Sequence, residues 1–240
     1  MAVGTGPFRL VTFVPNQEVV LTRFDGYWGR RVEHERVVMR LLANNGARSA
    51  ALLSGSVDLI ERPPVENLDR LRAAPGFTIA EAASANIIYM SFDQALEPSP
   101  GISGTDGRNP FKDVRVRRAV SLAINREAIA SRIMGGQATP ANQMAPPVTF
   151  GHDPSIPAER FDPDAARRLL AEAGYPNGFR LTVHTPTARY QSDVAVAQAI
   201  AQMLARIGIE TAVESVPPAV YFTNATRACH QLSQIAAATR

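Results

Sequence analysis

The stretch NPFKDVRVRRAVSLAINREAI (109–129) contains two helix starts in succession. Asp113 precedes apolar residues at helical spacing, and a side-chain oxygen at such a position accepts a free backbone N–H of the first turn. Asn125 stands in the same kind of position before a second segment. The spacing therefore predicts two consecutive helices, with apolar faces formed by Val116, Val120, Ala123 and Ile124 and then by Ala128, Ile129 and Ile133.

Five cations crowd the same stretch, within fifteen positions: Lys112, Arg115, Arg117, Arg118 and Arg126. They suit either a helix that grips nucleic acid or the solvated face of a structural helix. A helix that reads a groove normally belongs to a recognisable module with interleaved aromatic residues, and the sequence shows neither. We interpret the cations as a solvated face and expect no nucleic-acid partner. DNA binding that falls steeply with salt would support the alternative.

The composition of the 240-residue chain is that of a globular protein, with 45% hydrophobic and 20% charged residues. The formal net charge is only +3, and Lys112 is the single lysine. The single cysteine, Cys229, excludes internal disulfides and a multi-cysteine metal site. The sequence contains no apolar run of the roughly 18 residues that a membrane span needs, and we see no signal segment at its start.

Residues 1–93 are rich in predicted strands. The runs 7–14 and 18–24 flank the turn sequence PNQ, which indicates a hairpin. Further strands are predicted at 35–42, 57–60, 77–82 and 85–93, and helices at 47–55 and 64–76.

The segment QALEPSPGISGTDGRNP (94–110) is crowded with Pro, Gly and Ser, which indicates a hinge or lobe boundary. Further on, FDPDAARRLLAEAGYPNG (161–178) predicts a helix that Asp162 caps and Gly174 ends. A strand, a helix and a strand then follow, which indicates α/β pairing. Their predicted bounds are 179–185, 192–208 and 209–216. The predicted fold class is mixed α/β (α+β).

Known enzyme motifs are incomplete in this sequence. HERVV, starting at His34, has Val38 where a zinc protease has its second histidine. GTGPFR (4–9) has Arg9 in place of the third glycine of a dinucleotide loop. The four histidines lie far apart without ligand spacing. We therefore expect no catalytic residue, no metal site and no cofactor.

Aromatic residues near the predicted hinge are stronger candidates for a binding site. Tyr89 and Phe92 lie on the predicted strand just before residues 94–110, and Tyr190 stands beside Arg189 before the long helix. Strand ends and loops next to a hinge are where clefts form. Core packing remains the alternative for each tyrosine.

Four ordered motifs resemble the peptide/nickel-type extracellular solute-binding proteins of ABC importers, family 5. They are GTGPFRLVTFVPNQEVVLTRFDGYWG (4–29), LLSGSVDLI (52–60), NPFKDVRVRRAVSLAINREAIA (109–130) and FDPDAARRLLAEAGYPNGF (161–179). The resemblance extends from residue 4 to about residue 227. It makes the cations of 112–118 part of a structural helix that faces solvent or forms salt bridges between elements.

The resemblance implies part of a type II periplasmic-binding-protein fold, with two lobes and a hinge. Residues 1–93 would be part of lobe I, 94–110 the hinge, and 111–227 the first half of lobe III. Residues 228–240 do not resemble the family. Such proteins capture peptides or related small solutes between lobes, pass them to a membrane permease and do no covalent chemistry.

The resemblance also suggests ligand contacts. ANIIYMSF (85–92) is similar to a segment that lines the family's cleft, which makes Asn86 and Tyr89 candidates. Arg189, followed by Tyr190, falls where dipeptide-binding members place an arginine that pairs with the ligand carboxylate. We expect a monomer on the periplasmic or extracellular side of the membrane. Because family members are about twice as long, the alternative is a truncated, non-functional fragment with an incomplete site.

Overall fold

The structure is a computed structural model that describes residues 4–82, 86–227 and 234–236. The chain divides into two compact units, Met1–Asn67 and Leu68–Arg240. Residues 94–110 lie within the second unit, and the assignment of a lobe boundary to them stays a prediction. Of the predicted tail, 228–240, only a short strand at Gln234–Ala236 belongs to the described residues.

The first unit is built on an antiparallel sheet of β1 (Phe8–Val14), β2 (Glu18–Arg23) and β3 (Arg36–Arg40), in that order. The predicted hairpin between the first two strands is confirmed, with Asn16 in the left-handed conformation its turn requires. Helix α1 (Asn45–Leu53) follows, and the Asn44 side chain accepts the Ala47 N–H at its start.

The second unit contains the predicted helices. Side chains of Asp113, Asn125 and Asp162 each accept a backbone N–H in the first turn that follows, so all three predicted caps are confirmed. The helix after Asn125 changes to a π-helical turn at Ile129–Ile133. The helices are α2 (Leu68–Ala73), α3 (Val114–Ala123), α4 (Arg126–Ala128), α5 (Pro163–Glu172), α6 (Asp193–Ala205) and α7 (Pro218–Arg227).

The sheet of the second unit is centred on one strand, β6. The strands are β4 (Tyr89–Ser91), β5 (Ile102–Ser103), β6 (Phe179–Pro186), β7 (Ile209–Val216) and β8 (Gln234–Ala236). β6 pairs in parallel with β7 along its whole length, and α6 connects the two. This confirms the predicted strand–helix–strand unit. On the other edge β5 pairs with the beginning of β6 and β8 with its end, while β8 also pairs with β4.

The core of the second unit lies between this sheet and helices α3, α5 and α6. Alternate residues of β6 point into it, as the two-residue period of a strand requires. Phe111 is fully buried, stacks on Phe92 at 4.3 Å between ring centroids, and meets the Phe179 ring edge-on at 5.9 Å. The first residues after the predicted hinge therefore anchor the second unit.

Three predicted strands differ from the structure. Residues 57–60 and 77–82 form no strand, and the strand predicted at 85–93 is short, spanning only Tyr89–Ser91. A strand exists only where a neighbouring strand pairs with it, and the strand pairings among the described residues do not include 57–60 or 77–82. No helix in the described ranges is both long and apolar enough to cross a bilayer.

Candidate functional site

The four candidate residues occupy two places in the second unit. Asn86 precedes β4, and Tyr89 is its first residue; both are exposed. Arg189 and Tyr190 lie in the loop 187–192, which leaves the carboxyl end of β6 and leads into α6. In open α/β sheets, ligands bind at the carboxyl ends of parallel strands. The loop after β6 stands at such an edge because β7 runs parallel beside it.

Loop 187–192 has a strained backbone. Ala188 and Ser192 both adopt left-handed conformations, with φ of 55° and 56°. Non-glycine residues take this conformation only where their surroundings hold them in it. The loop begins at the sheet, where the Thr187 N–H donates to the Val216 carbonyl at 2.9 Å.

Asp193 holds the middle of this loop. Its side chain is buried, and one carboxylate oxygen accepts the backbone N–H of Arg189 at 3.0 Å and of Tyr190 at 3.1 Å. The other oxygen accepts the Val194 N–H at 2.9 Å. The carboxylate thus satisfies three backbone donors at the start of α6, where a negative charge also complements the helix dipole.

The side chains of Arg189 and Tyr190 pack against each other. The guanidinium carbon lies 5.1 Å from the centre of the tyrosine ring, a cation–π distance. Arg189 is exposed and Tyr190 half-buried. None of the described carboxylates forms an ion pair with the Arg189 guanidinium. Its hydrogen-bonding edge can therefore receive a carboxylate in the bidentate manner that arginine favours.

Tyr221 joins the two candidate tyrosines. It lies on α7, and its side chain is 3% exposed. Burial raises the pKa of its hydroxyl well above the usual value, and the nearby Tyr190 and Tyr89 raise it further. We call Tyr89, Tyr190 and Tyr221 the tyrosine cluster, because Tyr221 lies close enough to each of the other two to be affected by its charge. Tyr221 thus has both candidate tyrosines in its neighbourhood, although they are far apart in sequence.

Neither Tyr221 nor Asp193 was expected from the sequence. Tyr221 sits in the run PPAVYFTNATR, which has no motif of its own. Its place follows from α7 beginning directly after β7, at the same edge as the loop after β6. Asp193 could have been noticed as an acidic residue at the start of a helix, but its bonds to residues that precede it require the folded loop.

Asn86 and Tyr89 also line a large cavity of about 1470 Å³. Its walls are mostly apolar side chains of the segment 87–92, of α3 and of the long loop 138–162. The volume of this cavity exceeds the range of about 300–1,000 Å³ that is typical of a small-molecule site. Arg189 and Tyr190 are not part of its lining, so Tyr89 is the candidate residue that belongs both to the cavity and to the tyrosine cluster.

The loop 138–162 is attached to α3 by a polar group at the cavity wall. The hydroxyl of Ser121 is hydrogen-bonded to the Glu159 carboxylate and accepts a bond from Arg126 at 2.7 Å. Burial lowers the pKa of the Arg126 guanidinium, and the negative charge of Glu159 acts against that shift. The Asp162 N–H also donates to the Leu122 carbonyl at 2.9 Å.

The five cations of 112–126 all have acceptors within the chain. Arg115 pairs with Asp113 at 2.6 Å and donates to the Glu172 carbonyl at 2.7 Å, which links α3 to the end of α5. Lys112 bonds to Glu97, Arg117 to the Phe111 carbonyl and Arg126 to Ser121, while Arg118 forms only a loose ion pair with Glu159 at 3.9 Å. These contacts are what the structural interpretation of the stretch predicts.

The described ranges contain no group of three His, Cys, Asp or Glu side chains that could hold a metal ion. The loop 187–192 offers an exposed guanidinium stacked on the Tyr190 ring at the edge of a parallel strand pair. Small-molecule sites combine aromatic surface with a few charged or polar groups of this kind.

Comparison with known proteins identifies the family. The chain belongs to the bacterial extracellular solute-binding proteins of family 5, whose middle-region model matches residues 1–236. That match includes most of residues 228–240, which we expected to lie outside the family. The members of this family are binding proteins, described as extracellular.

Three known proteins show the similarity in detail. Heme-binding protein A of Haemophilus influenzae is 32% identical over 177 residues, 74% of this chain and 30% of its own. A glutathione-binding protein of Shigella flexneri is 31% identical over 216 residues, 89% of this chain and 40% of its own. A periplasmic binding protein from Helicobacter pylori, solved with the peptide STSA, is 26% identical and has a TM-score of 0.79 over 98% of this chain and 43% of its own.

The described chain therefore forms part of a type II periplasmic-binding-protein fold, of mixed α/β class, as the resemblance implied. The chain spans less than half the length of these relatives.

Proposed function

We propose that this chain supplies ligand contacts of a solute-binding protein that captures peptides, or a related small solute with a carboxylate, for an ABC permease. The observation that carries the proposal is Arg189, whose exposed guanidinium has no ion-pair partner among the described residues and is stacked on Tyr190 at the carboxyl edge of β6. Arginine is the side chain best suited to bind a carboxylate with two parallel hydrogen bonds.

The names of several relatives support the same ligand class, although the name of the relative from Haemophilus influenzae gives heme. Dipeptides, glutathione and the tetrapeptide STSA, which occur in the names of similar proteins, are all peptides with a free carboxylate. The tyrosine cluster adds apolar ring faces and hydroxyl groups, which can accommodate side chains of varied sequence. The protein would act as a monomer outside the cytoplasmic membrane and carry out no covalent chemistry.

Calorimetric titration with STSA tests the proposal. Arg189→Ala should weaken binding about 10- to 100-fold, because a charge-assisted bidentate pair contributes roughly 1.5–3 kcal/mol. The C-terminal amide of STSA should bind the unaltered chain as weakly as STSA binds Arg189→Ala. Arg168→Ala, which removes an exposed arginine from α5, is the matched control and should bind like the unaltered chain.

Two results would contradict the site assignment. One is STSA binding that Arg189→Ala leaves unchanged. The other is equal affinity for STSA and its amide, because the guanidinium would then have no carboxylate to recognise.

The alternative is that the chain is a truncated form without a complete site. Its support is the coverage of only 30–43% of the relatives' own length. This alternative predicts a folded chain that binds no peptide, while a full-length relative with the same residues does bind one.

A further inference from the structure

We infer that Asp193 is a positioning residue, whose buried carboxylate fixes Arg189 and Tyr190 in the geometry that receives the ligand. The inference rests on the proposed function for its ligand, but its structural part can be tested without one. Neither the family resemblance nor the sequence motifs pointed to Asp193.

The first argument is the direction of the hydrogen bonds. Asp193 accepts from Arg189 and Tyr190, which precede it in the chain, with a single oxygen at 3.0 and 3.1 Å. A carboxylate that only capped α6 would serve N–H groups that follow it, as its second oxygen does for Val194. The additional bonds hold the two residues whose side chains form the site.

The second argument is backbone strain. Ala188 and Ser192 bracket the held residues, and both adopt left-handed conformations that side chains disfavour. Such a loop relaxes unless its surroundings hold it. The Thr187 N–H bond to Val216 fixes only the start of the loop, and the Val196 N–H bond to Ser192 fixes only its end. The bonds to Asp193 are what holds the middle.

The third argument is burial. The Asp193 side chain is 6% exposed, so its bonds to the backbone are shielded from competing water. Arg189 itself is exposed, and an exposed arginine normally samples many rotamers. Fixing its backbone and stacking it on Tyr190 reduces the conformational freedom that it loses when a ligand binds.

Amide hydrogen exchange measured by NMR on the whole chain tests the structural part. In Asp193→Ala the amides of Arg189 and Tyr190 should exchange at least about tenfold faster, because their acceptor is gone. The Thr187 amide, bonded to the Val216 carbonyl in the same loop, is the internal control and should keep its protection. Asp193→Asn retains one acceptor oxygen, so its exchange rates at Arg189 and Tyr190 should lie between those of the unaltered chain and those of Asp193→Ala.

Unchanged exchange at Arg189 and Tyr190 in Asp193→Ala would overturn the inference. So would a loss of protection that extends to Thr187 and the body of α6, since Asp193 would then stabilise the unit in general. Neither result depends on finding the ligand.

A double-mutant cycle with STSA tests whether Asp193 acts through Arg189. Asp193→Ala should weaken binding about tenfold or more in the unaltered chain and cause a clearly smaller loss in an Arg189→Ala background, where only the placement of Tyr190 is left to lose. Equal losses in both backgrounds would overturn the positioning role. If STSA does not bind the unaltered chain, the proposed function fails for this ligand, and the exchange experiment still decides the role of Asp193.

Discussion

Replacing Gly178 by alanine should break the start of the parallel strand pair. A Cβ at Gly178 would lie 1.8 Å from the carbonyl oxygen of Gly208 and 2.3 Å from its carbon, whereas ordinary contacts begin at 3.4 Å. The backbone of one strand would have to move by roughly 1.6 Å, the difference between the 1.8 Å approach to the oxygen and the 3.4 Å of an ordinary contact. The next residues, Phe179 and Ile209, are paired across the two strands and buried in the core, so the movement disturbs both.

The expected cost has two parts. Alanine at the φ of +71° costs about 1–2 kcal/mol, and displacement of packed core residues adds about 2 kcal/mol or more. Gly174→Ala is the matched control: its φ is +91°, but nothing lies within 4 Å of the added Cβ. The control should therefore lose only the first part, about 1–2 kcal/mol.

Urea denaturation followed by far-ultraviolet circular dichroism measures the difference. We expect Gly178→Ala to unfold at a clearly lower urea concentration than Gly174→Ala. Equal midpoints for the two variants would refute the reasoning, because they would show that the backbone at Gly178 and Gly208 can move apart without loss of stability.

Two further predictions concern buried and capping carboxylates. The side-chain hydrogen bond from Arg115 is the largest cause that lowers the pKa of Asp113 below 3.8. The charged Asp113 carboxylate therefore stabilises the fold fully above pH 3.8, and this stability is lost as the pH falls through the lowered pKa. Asp113→Asn keeps the helix cap but removes the titrating carboxylate. The free energy of unfolding of this variant should therefore vary less with pH in acid than that of the unaltered chain, as unfolding curves at a series of acidic pH values will show. Asp93 is 4% exposed, and one of its carboxylate oxygens has no hydrogen-bond partner among residues 4–82, 86–227 and 234–236. Asp93→Asn should raise the free energy of unfolding by about 1 kcal/mol, because a neutral amide costs less to bury. Asp93→Ala should lower it by about 1–2 kcal/mol, because the N–H groups of Ala95 and Leu96 lose their acceptor.

Local chemistry made much of the fold predictable. Asp113, Asn125 and Asp162 cap their helices because a short polar side chain before an apolar run satisfies free N–H groups wherever it occurs. The parallel pair of β6 and β7 followed from two strand patterns separated by a long helix, a spacing that only a crossover connection explains.

Features that depend on distant neighbours were not predictable in this way. The strands expected at 57–60 and 77–82 have suitable composition, but a strand also needs a partner, and the local sequence does not specify one. The π-helical turn at Ile129–Ile133 likewise has no marker in the local sequence.

The candidate site was predicted in part. Tyr89 and Tyr190 were named for their positions beside a hinge and a helix start, and their shared neighbour Tyr221 depends on the arrangement of the sheet and α7. Tyr221 and Asp193 could be recognised only after the loop and α7 were placed at the same edge. Asn86 lies with Tyr89 at the large cavity, away from Arg189. The ligand-binding roles of all four predicted residues remain proposals.

A thermal melt of the 240-residue chain, with and without a mixed pool of di- to pentapeptides, tests the central claim most directly. A ligand that binds only the folded state at 100 times its dissociation constant adds about 2.7 kcal/mol of stability. We predict a cooperative melt that moves to higher temperature with the peptides and does not move in Arg189→Ala. A cooperative melt of the unaltered chain that peptides leave in place would contradict the claim that this chain captures peptides.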